Sequence, residues 1–196
     1  MKWVVNKAAV LGAGVMGAQI AAHLANARVP VVLFDLPAKD GDKNGVVKRA
    51  LDGLKRLQPS PLVSRDTLQY IDAANYEEHL ALLSGCDLII EAIAERMDWK
   101  NELYARIAPF VTPGTVLASN TSGLSINGLA EALPAALRPN FCGIHFFNPP
   151  RYMPLVEIIP TRDSAPAMLD GLETWLTTRL GKGVVRALDT PNFVAN

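Results

Sequence analysis

Several features are scarce in this sequence of 196 residues, and each scarcity excludes a class of protein. The two cysteines favour a reducing compartment over a disulfide framework. They also lack the spacing of a metal site, and only three histidines are available as further ligands. The formal net charge is zero with no basic run, which argues against binding of nucleic acid. No stretch reaches the roughly 20 apolar residues of a membrane span, and the amino terminus lacks a signal-peptide pattern. We therefore expect a cytoplasmic enzyme or binding module that contains no metal.

The sequence does contain an alternation of short apolar runs with longer helix-like stretches. This alternation is typical of βαβ units and a parallel sheet. The pattern predicts strands at 7–12, 29–35, 87–93, 115–120 and 183–189, a hairpin-like pair in "FCGIHFFN" and "PLVEIIPT", and helices at 16–27, 44–57, 98–110 and 164–181. We therefore predict an α/β fold in a single domain over residues 1–196.

The stretch "LGAGVMG" places Gly12, Gly14 and Gly17 between the first predicted strand and the first predicted helix. A G-x-G-x-x-G pattern in this context predicts a dinucleotide-binding loop of a Rossmann-like, doubly wound sheet. The first glycine permits the turn, the second lets the backbone approach a pyrophosphate, and the third lets helix and strand pack closely. The helix would begin at Val15 and Met16, where free N–H groups favour phosphate.

Asp35 ends the next predicted strand, 18 residues after Gly17. A carboxylate at this place accepts hydrogen bonds from an adenosine ribose and repels a 2′-phosphate, so it favours NAD over NADP. The alternative is a glycine-rich turn followed by an unrelated aspartate. Arg28 stands where a helix usually ends at a glycine. It could lie near the adenosine or simply be a solvated side chain.

His145 and Glu157 each stand alone among apolar neighbours in two strand-like runs. A buried charge is costly unless it is paired, so the two side chains are expected to meet. A histidine next to a carboxylate is a common general base. A purely structural ion pair is the other interpretation.

Five motifs in this order resemble the NAD-binding part of L-3-hydroxyacyl-CoA dehydrogenases. They are "VLGAGVMG", "DLIIEAIAERMDWK", "SNTSGLSI", "GIHFFNPPRYMPLVEII" and "DTPNFVAN". The resemblance covers essentially the whole chain and is closest to bacterial members within longer fatty-acid β-oxidation proteins. It implies NAD-dependent oxidation of a (3S)-3-hydroxyacyl-CoA to a 3-ketoacyl-CoA, and a mostly parallel sheet with two extra C-terminal strands.

The resemblance also implies roles for particular residues. His145 would be the general base, and Glu157 would orient it. Ser122 would reach both the substrate hydroxyl and the nicotinamide. Asn196 would place or polarise the substrate.

Three further positions match family contacts to the cofactor, namely Glu95, Lys100 and Asn148. For Lys100 the alternative is a solvated helix residue. Where the family often has asparagine, this chain has Arg96, so the resemblance does not predict the hydrogen bonds around this position. Glu91, inside its apolar strand, is assigned no role.

Two family properties do not transfer directly. The residues that contact CoA lie after Asp35 in the family, and here only Lys39, Lys43 and Lys48 are candidates. The family also continues into a helical domain that closes over the substrate and often forms a homodimer, and this domain is missing from the sequence. We therefore expect the 196-residue chain to bind NAD but to turn over poorly.

Two other functions remain in view. The chain could be a non-catalytic dinucleotide-binding module, or a dehydrogenase of the same fold that acts on another 3-hydroxy acid. The presence of His145, Glu157 and Ser122 argues against the module, because a protein relieved of catalysis need not keep a buried charged pair.

Overall fold

One sheet of eight strands organises residues 3–194, the part of the chain that this computed structural model describes. The strand order is β3-β2-β1-β4-β5-β6-β7-β8. The strands are β1 Ala8–Leu11, β2 Val31–Asp35, β3 Ile71–Asn75, β4 Leu88–Glu91, β5 Val116–Ser119, β6 Phe141–Phe146, β7 Leu155–Pro160 and β8 Gly183–Arg186. The helices are α1 Val15–Asn26, α2 Gly45–Leu54, α3 Met97–Ile107, α4 Ile126–Glu131 and α5 Pro166–Leu180. Only β6 and β7 pair antiparallel, so the predicted Rossmann-like fold with two extra C-terminal strands is confirmed.

Both faces of the sheet are covered, which explains why its strands are apolar without alternation. In β1, Ala8 and Val10 face a core built with α1 and α5, whereas Ala9 and Leu11 face a core built with α3 and α4. All four residues of β1 are buried. The sequence pattern of continuous short apolar runs therefore reflects a sheet between two helical layers.

The order of the strands creates a crevice at the carboxyl edge of the sheet. β1 has β2 on one side and β4 on the other, and all three run parallel. The chain leaves β1 and β4 in opposite directions, which makes this the topological switch point where ligands of such sheets bind. The segments that follow Leu11, Asp35, Glu91 and Ser119 meet there.

The helices follow the predicted ranges with shorter ends. α5 occupies most of 164–181 and ends at Gly181, whose φ of +67° is the left-handed conformation expected of a terminating glycine. Within residues 3–194, none of the helices combines the length and the apolar character needed to cross a membrane.

Arg28, the second residue after α1, has a φ of +59°, in the left-handed region that costs a side-chain-bearing residue free energy. It lies with Trp3, Trp175 and Arg179 beside a cavity of about 420 Å³. This cavity adjoins the start of β2, whereas Asp35 ends that strand. The interpretation of Arg28 as a residue near the adenosine is therefore wrong, because the two lie at opposite edges of the sheet.

We expect the Arg28→Gly substitution to stabilise the protein by about 0.5–1 kcal/mol. Glycine removes the left-handed strain, which outweighs the greater freedom that it gives the unfolded chain. The measurement is the free energy of unfolding in urea. Arg56→Gly, at a position just after α2 without positive φ, is the matched control and should lower stability. Equal effects of the two substitutions would contradict the explanation.

His23 of α1 is buried, with 9% of its surface exposed. Burial, together with the charges of Lys182 and Arg151, lowers the pKa of His23 from 6.5 to about 4. The unfolded chain therefore binds this proton at a higher pH than the folded chain does. Its contribution to stability is complete above pH 6.5 and is lost as the pH falls towards 4.

We expect His23→Leu and His23→Gln each to reduce the acid sensitivity of the fold. The loss of unfolding free energy between pH 7 and pH 5 should be smaller than in the unsubstituted protein by about 2 kcal/mol. Urea unfolding at the two pH values measures this difference. The glutamine variant separates titration from the gain of apolar packing. An unchanged pH dependence in both variants would show that His23 does not titrate as described.

Candidate functional site

The three glycines of the loop after β1 have different surroundings. Gly12 has a φ of +102°, and a Cβ there would lie 2.8 Å from the Ala92 carbonyl oxygen. A Cβ at Gly17 would lie 1.8 Å from the Gly12 carbonyl oxygen. At Gly14 a Cβ would meet no atom within 4 Å. Packing inside the protein thus explains the first and third glycines, and the second faces the open space that a ligand would enter.

The first turn of α1 points its N–H groups at the same open space. Gly14 is the N-cap, Val15 is exposed and Met16 is half-buried. Ala18 is the first residue whose N–H bonds back to the Gly14 carbonyl, at 3.0 Å. The preceding N–H groups have no acceptor within the helix, so this end suits a phosphate group. The loop and the helix end therefore fit a pyrophosphate.

Asp35 lies directly beside this loop. Its Oδ2 accepts a hydrogen bond from the Ala13 N–H at 2.6 Å, and its Oδ1 accepts one from the Leu36 N–H at 2.7 Å. The carboxylate borders a cleft of about 430 Å³. The cleft is lined by Gly12, Gly14, Asp35, Leu36, Tyr76, Ala92, Ile93, Ala94, Trp99, Glu102, Leu103 and Arg106. A mostly apolar cleft with the Asp35 carboxylate beside the glycine loop suits an adenosine.

Arg96, at the position that the sequence analysis left open, binds a local partner. Its guanidinium donates two hydrogen bonds to the Asp98 carboxylate, at 3.1 and 2.6 Å. It also lies over the Trp99 ring, 4.6 Å from the ring centre. Arg96 is therefore occupied at the start of α3.

His145 and Glu157 meet, as the sequence analysis expected. They are directly opposite each other in the antiparallel pairing of β6 and β7. Nδ1 of His145 lies 2.8 Å from Oε2 of Glu157, and their exposed fractions are 4% and 0%. If Nδ1 carries the proton that bonds to the carboxylate, Nε2 keeps a lone pair that can accept a proton. The pair can therefore act as an oriented general base.

Aromatic rings and one further N–H enclose this pair. The Phe147 ring centre is 4.5 Å from that of His145, and the Phe193 ring centre is 5.8 Å away. The Val194 N–H donates to Oε1 of Glu157 at 3.1 Å. Both carboxylate oxygens of Glu157 thus have donors, which offsets the cost of burying the charge.

Ser122 lies on an exposed turn that Glu95 holds. Oε1 of Glu95 accepts hydrogen bonds from the N–H groups of Ser122 and Gly123, at 2.8 and 3.0 Å, and from the Thr121 hydroxyl. Burial alone would raise the pKa of Glu95, but these donors together lower it. In this structure the predicted cofactor residue Glu95 fixes the turn that carries Ser122.

Lys100 is fully buried, so the interpretation of it as a solvated helix residue is wrong. Its Nζ lies 2.5 Å from Oε1 of Glu91 and 4.0 Å from Oε2 of Glu95. Glu91 also accepts hydrogen bonds from the Tyr104 and Ser119 hydroxyls, at 3.0 and 2.6 Å. Sequence reasoning gave Glu91 no role, although an acid inside an apolar strand was the signal that could have identified this buried network beneath the site.

The remaining predicted residues are placed as follows. Asn148 follows β6 and lies against α1, where its Oδ1 accepts a hydrogen bond from Gln19 at 3.3 Å. Lys43 pairs with Glu77 at 3.0 Å on the surface. Lys48 pairs with a neighbouring aspartate, also on the surface. Asn196 lies outside the described residues.

Comparison with known proteins gives a family match over most of the chain. The family model described as 3-hydroxyacyl-CoA dehydrogenase, NAD binding domain, matches residues 7–190. A Rickettsia felis protein named as a fatty acid oxidation complex trifunctional enzyme is 42% identical over 98% of this chain and 27% of its own length. A Deinococcus radiodurans protein named as a 3-hydroxyacyl-CoA dehydrogenase is 39% identical over 98% of this chain and 56% of its own length.

A solved structure agrees in fold and sequence. The crystal structure of 3-hydroxybutyryl-CoA dehydrogenase from Escherichia coli K12 has a TM-score of 0.82 and 32% identity. The match covers 97% of this chain and 39% of the other. The chain thus spans between about a quarter and just over half of the lengths of these relatives.

Proposed function

Since the chain belongs to the family of 3-hydroxyacyl-CoA dehydrogenases, through their NAD-binding domain, we propose that it oxidises (3S)-3-hydroxyacyl-CoA to 3-ketoacyl-CoA in fatty-acid β-oxidation. The observation that carries this proposal is the buried contact of 2.8 Å between His145 and Glu157. A structural ion pair would need no access for a substrate. Here His145 lies near the carboxyl end of β6, opposite Glu157 in β7. Because β6 runs parallel to β5, β4 and β1, that end of β6 is at the same edge of the sheet as the glycine loop.

NAD is the cofactor of this family, and the residues present fit it. The pyrophosphate would lie against Gly12, Gly14 and the first turn of α1, and the ribose against Asp35. Bound there, NAD would supply the hydride acceptor for oxidation at C3 of the substrate. Glu95, Lys100 and Asn148 remain proposed contributors at the nicotinamide end, in part through the turn that Glu95 holds.

The chain's own residues would move the proton. Nε2 of His145 takes the proton of the 3-hydroxyl group as the C3–O bond becomes a carbonyl. Glu157 keeps the imidazole oriented and stabilises its charged form. The Ser122 hydroxyl would hold the substrate oxygen, and Asn196 would stabilise negative charge that develops on it.

We further propose that the longer protein is cytoplasmic. A helical domain following residue 196 would complete the acyl-CoA site and form a homodimer. Relatives of which this chain covers only 27% and 56% support a longer protein. The 196-residue chain alone should then bind NAD and turn over poorly.

The test is a spectrophotometric assay of NADH formation by the longer protein with (3S)- and (3R)-3-hydroxybutyryl-CoA. We expect turnover of the 3S substrate with NAD, and much less with NADP because Asp35 repels a 2′-phosphate. Tight NADH binding without turnover would favour a non-catalytic module. Turnover of a sugar acid in preference to an acyl-CoA would favour a dehydrogenase of another 3-hydroxy acid.

A further inference from the structure

Asp189 joins two segments that are far apart in sequence. Its Oδ2 accepts hydrogen bonds from the Ser125 hydroxyl at 2.8 Å and from the Asn127 N–H and side-chain amide at 2.9 and 2.7 Å. Its Oδ1 accepts one from the Ile126 N–H at 2.8 Å. Residues 125–127 directly follow the turn that carries Ser122. One carboxylate thus ties the start of α4 to residues 187–194, which we term the exit segment.

The exit segment closes one side of the His145–Glu157 pair. Phe193 places its ring edge against His145, and Val194 donates its N–H to Glu157 at 3.1 Å. Asn192 and Phe193 both have positive φ, 64° and 51°. For phenylalanine this conformation costs free energy, so other contacts must hold the segment in place. Ala187 bonds to β7, and Asp189 is the next anchor along the chain.

Asn192 brings the same segment against the serine turn. A Cβ on Gly123 would lie 3.5 Å from Oδ1 of Asn192, which is ordinary contact distance. The serine turn is therefore held from two directions, by Glu95 on one side and by the exit segment on the other.

We propose that Asp189 is a positioning residue, which holds the exit segment over His145 and Glu157 and sets that pair relative to the Ser122 turn. This inference rests on the proposed function only where turnover is concerned. Asp189 bonds to Ser125, Ile126 and Asn127 and would act on the pair through Phe193 and Val194.

The charge state of Asp189 agrees with four donors around it. Its burial would raise the pKa, but the N–H groups of Asn127 and Ile126 and the side chains of Asn127 and Ser125 outweigh burial and lower the pKa. An asparagine in its place would turn an NH₂ group towards some of these donors and lose their bonds. Asp189→Asn therefore removes the charge and some of the hydrogen bonds while it keeps nearly the same side-chain size.

The first measurement is the rate at which diethyl pyrocarbonate modifies each histidine, followed by mass spectrometry of the peptides. In Asp189→Asn we expect the rate at His145 to rise about tenfold, because the cover formed by Phe193 opens. His23, buried in α1, should keep its slow rate, which reports an intact fold. The control is Asp72→Asn, which removes the same charge from an exposed position on β3.

A second variant guards against a folding failure of the first. Asn127→Ala removes one of the four donors to Asp189, together with the Oδ1 that accepts from the Arg162 N–H, and should raise the His145 rate in the same direction by a smaller factor. An unchanged His145 rate in both variants overturns the inference. A parallel rise at His23 also overturns it, because Asp189 would then be a general stabilising residue.

The second measurement is of kcat and of the KM for NAD. In the longer protein, we expect Asp189→Asn to lower kcat about tenfold and to leave the KM for NAD within about twofold, since the glycine loop is remote from Asp189. Titration of NADH sites per chain excludes a loss of folded protein as the cause. If the unsubstituted protein shows no turnover, the proposed function fails, and the histidine modification still decides the role of Asp189.

Discussion

His145→Asn is expected to lower turnover by about 10²–10⁴-fold and to leave the affinity for NADH unchanged. An asparagine amide can still donate towards Glu157, so the buried carboxylate keeps a partner, but it cannot accept the substrate proton. The cofactor would bind through the glycine loop and Asp35, which are formed by other strands. Steady-state assays and fluorescence titration of NADH measure the two quantities in the same preparation.

Glu157→Gln is the companion variant. It retains a side chain that can accept from the Nδ1 proton but lacks the charge that stabilises imidazolium, so we expect a smaller loss of kcat than in His145→Asn. Normal turnover in the histidine variant would reduce the pair to a structural role. Equal loss of turnover and NADH binding would point to a damaged fold instead.

Gly17→Ala should damage the fold itself. The added methyl carbon would lie 1.8 Å from the Gly12 carbonyl oxygen, so α1 must move away from β1. We expect the unfolding free energy to fall by about 3 kcal/mol or more, together with a loss of NADH binding, because such overpacking cannot relax locally. Urea unfolding and NADH titration measure the two effects.

Gly14→Ala is the matched control, because its methyl carbon would meet no protein atom within 4 Å. We expect its unfolding free energy to change by no more than about 1 kcal/mol. Its NADH affinity should fall at least about tenfold, because the methyl group occupies the space through which a pyrophosphate approaches. Unaltered NADH affinity in Gly14→Ala would mean that the cofactor does not approach the loop there.

The parts of the molecule that sequence could predict are those encoded locally. A span of 28 residues contains the first strand, the three glycines and Asp35 at the end of the next strand. The turn and the close packing that require these glycines are local, so the sequence pattern predicts them. His145 and Glu157 are predicted to meet because burying an unpaired charge among apolar residues costs free energy, and pairing the two side chains lowers that cost. The structure agrees on both points.

Other parts depend on contacts that no local pattern specifies. Asp189 lies in a stretch of turn residues, and its partners are more than 60 residues away. Lys100 is predicted as a cofactor contact from the resemblance alone, and its burial depends on Glu91 of a neighbouring strand, which the pattern of α3 does not specify. For Arg28 the sequence leaves two interpretations, because its edge of the sheet depends on where α1 ends relative to β2, and the structure favours the solvated one.

The direct pairing of residues 145 and 157 in the β6–β7 ladder has a consequence for how this protein tolerates change. Side chains alternate between the two faces of a strand, so one residue inserted within either strand would send the imidazole and the carboxylate to opposite sides of the sheet. An insertion in the connection between the strands, residues 147–154, would leave them in register. Length variation should therefore accumulate in that connection of eight residues, where it can reshape the pocket mouth without changing the register of the pair.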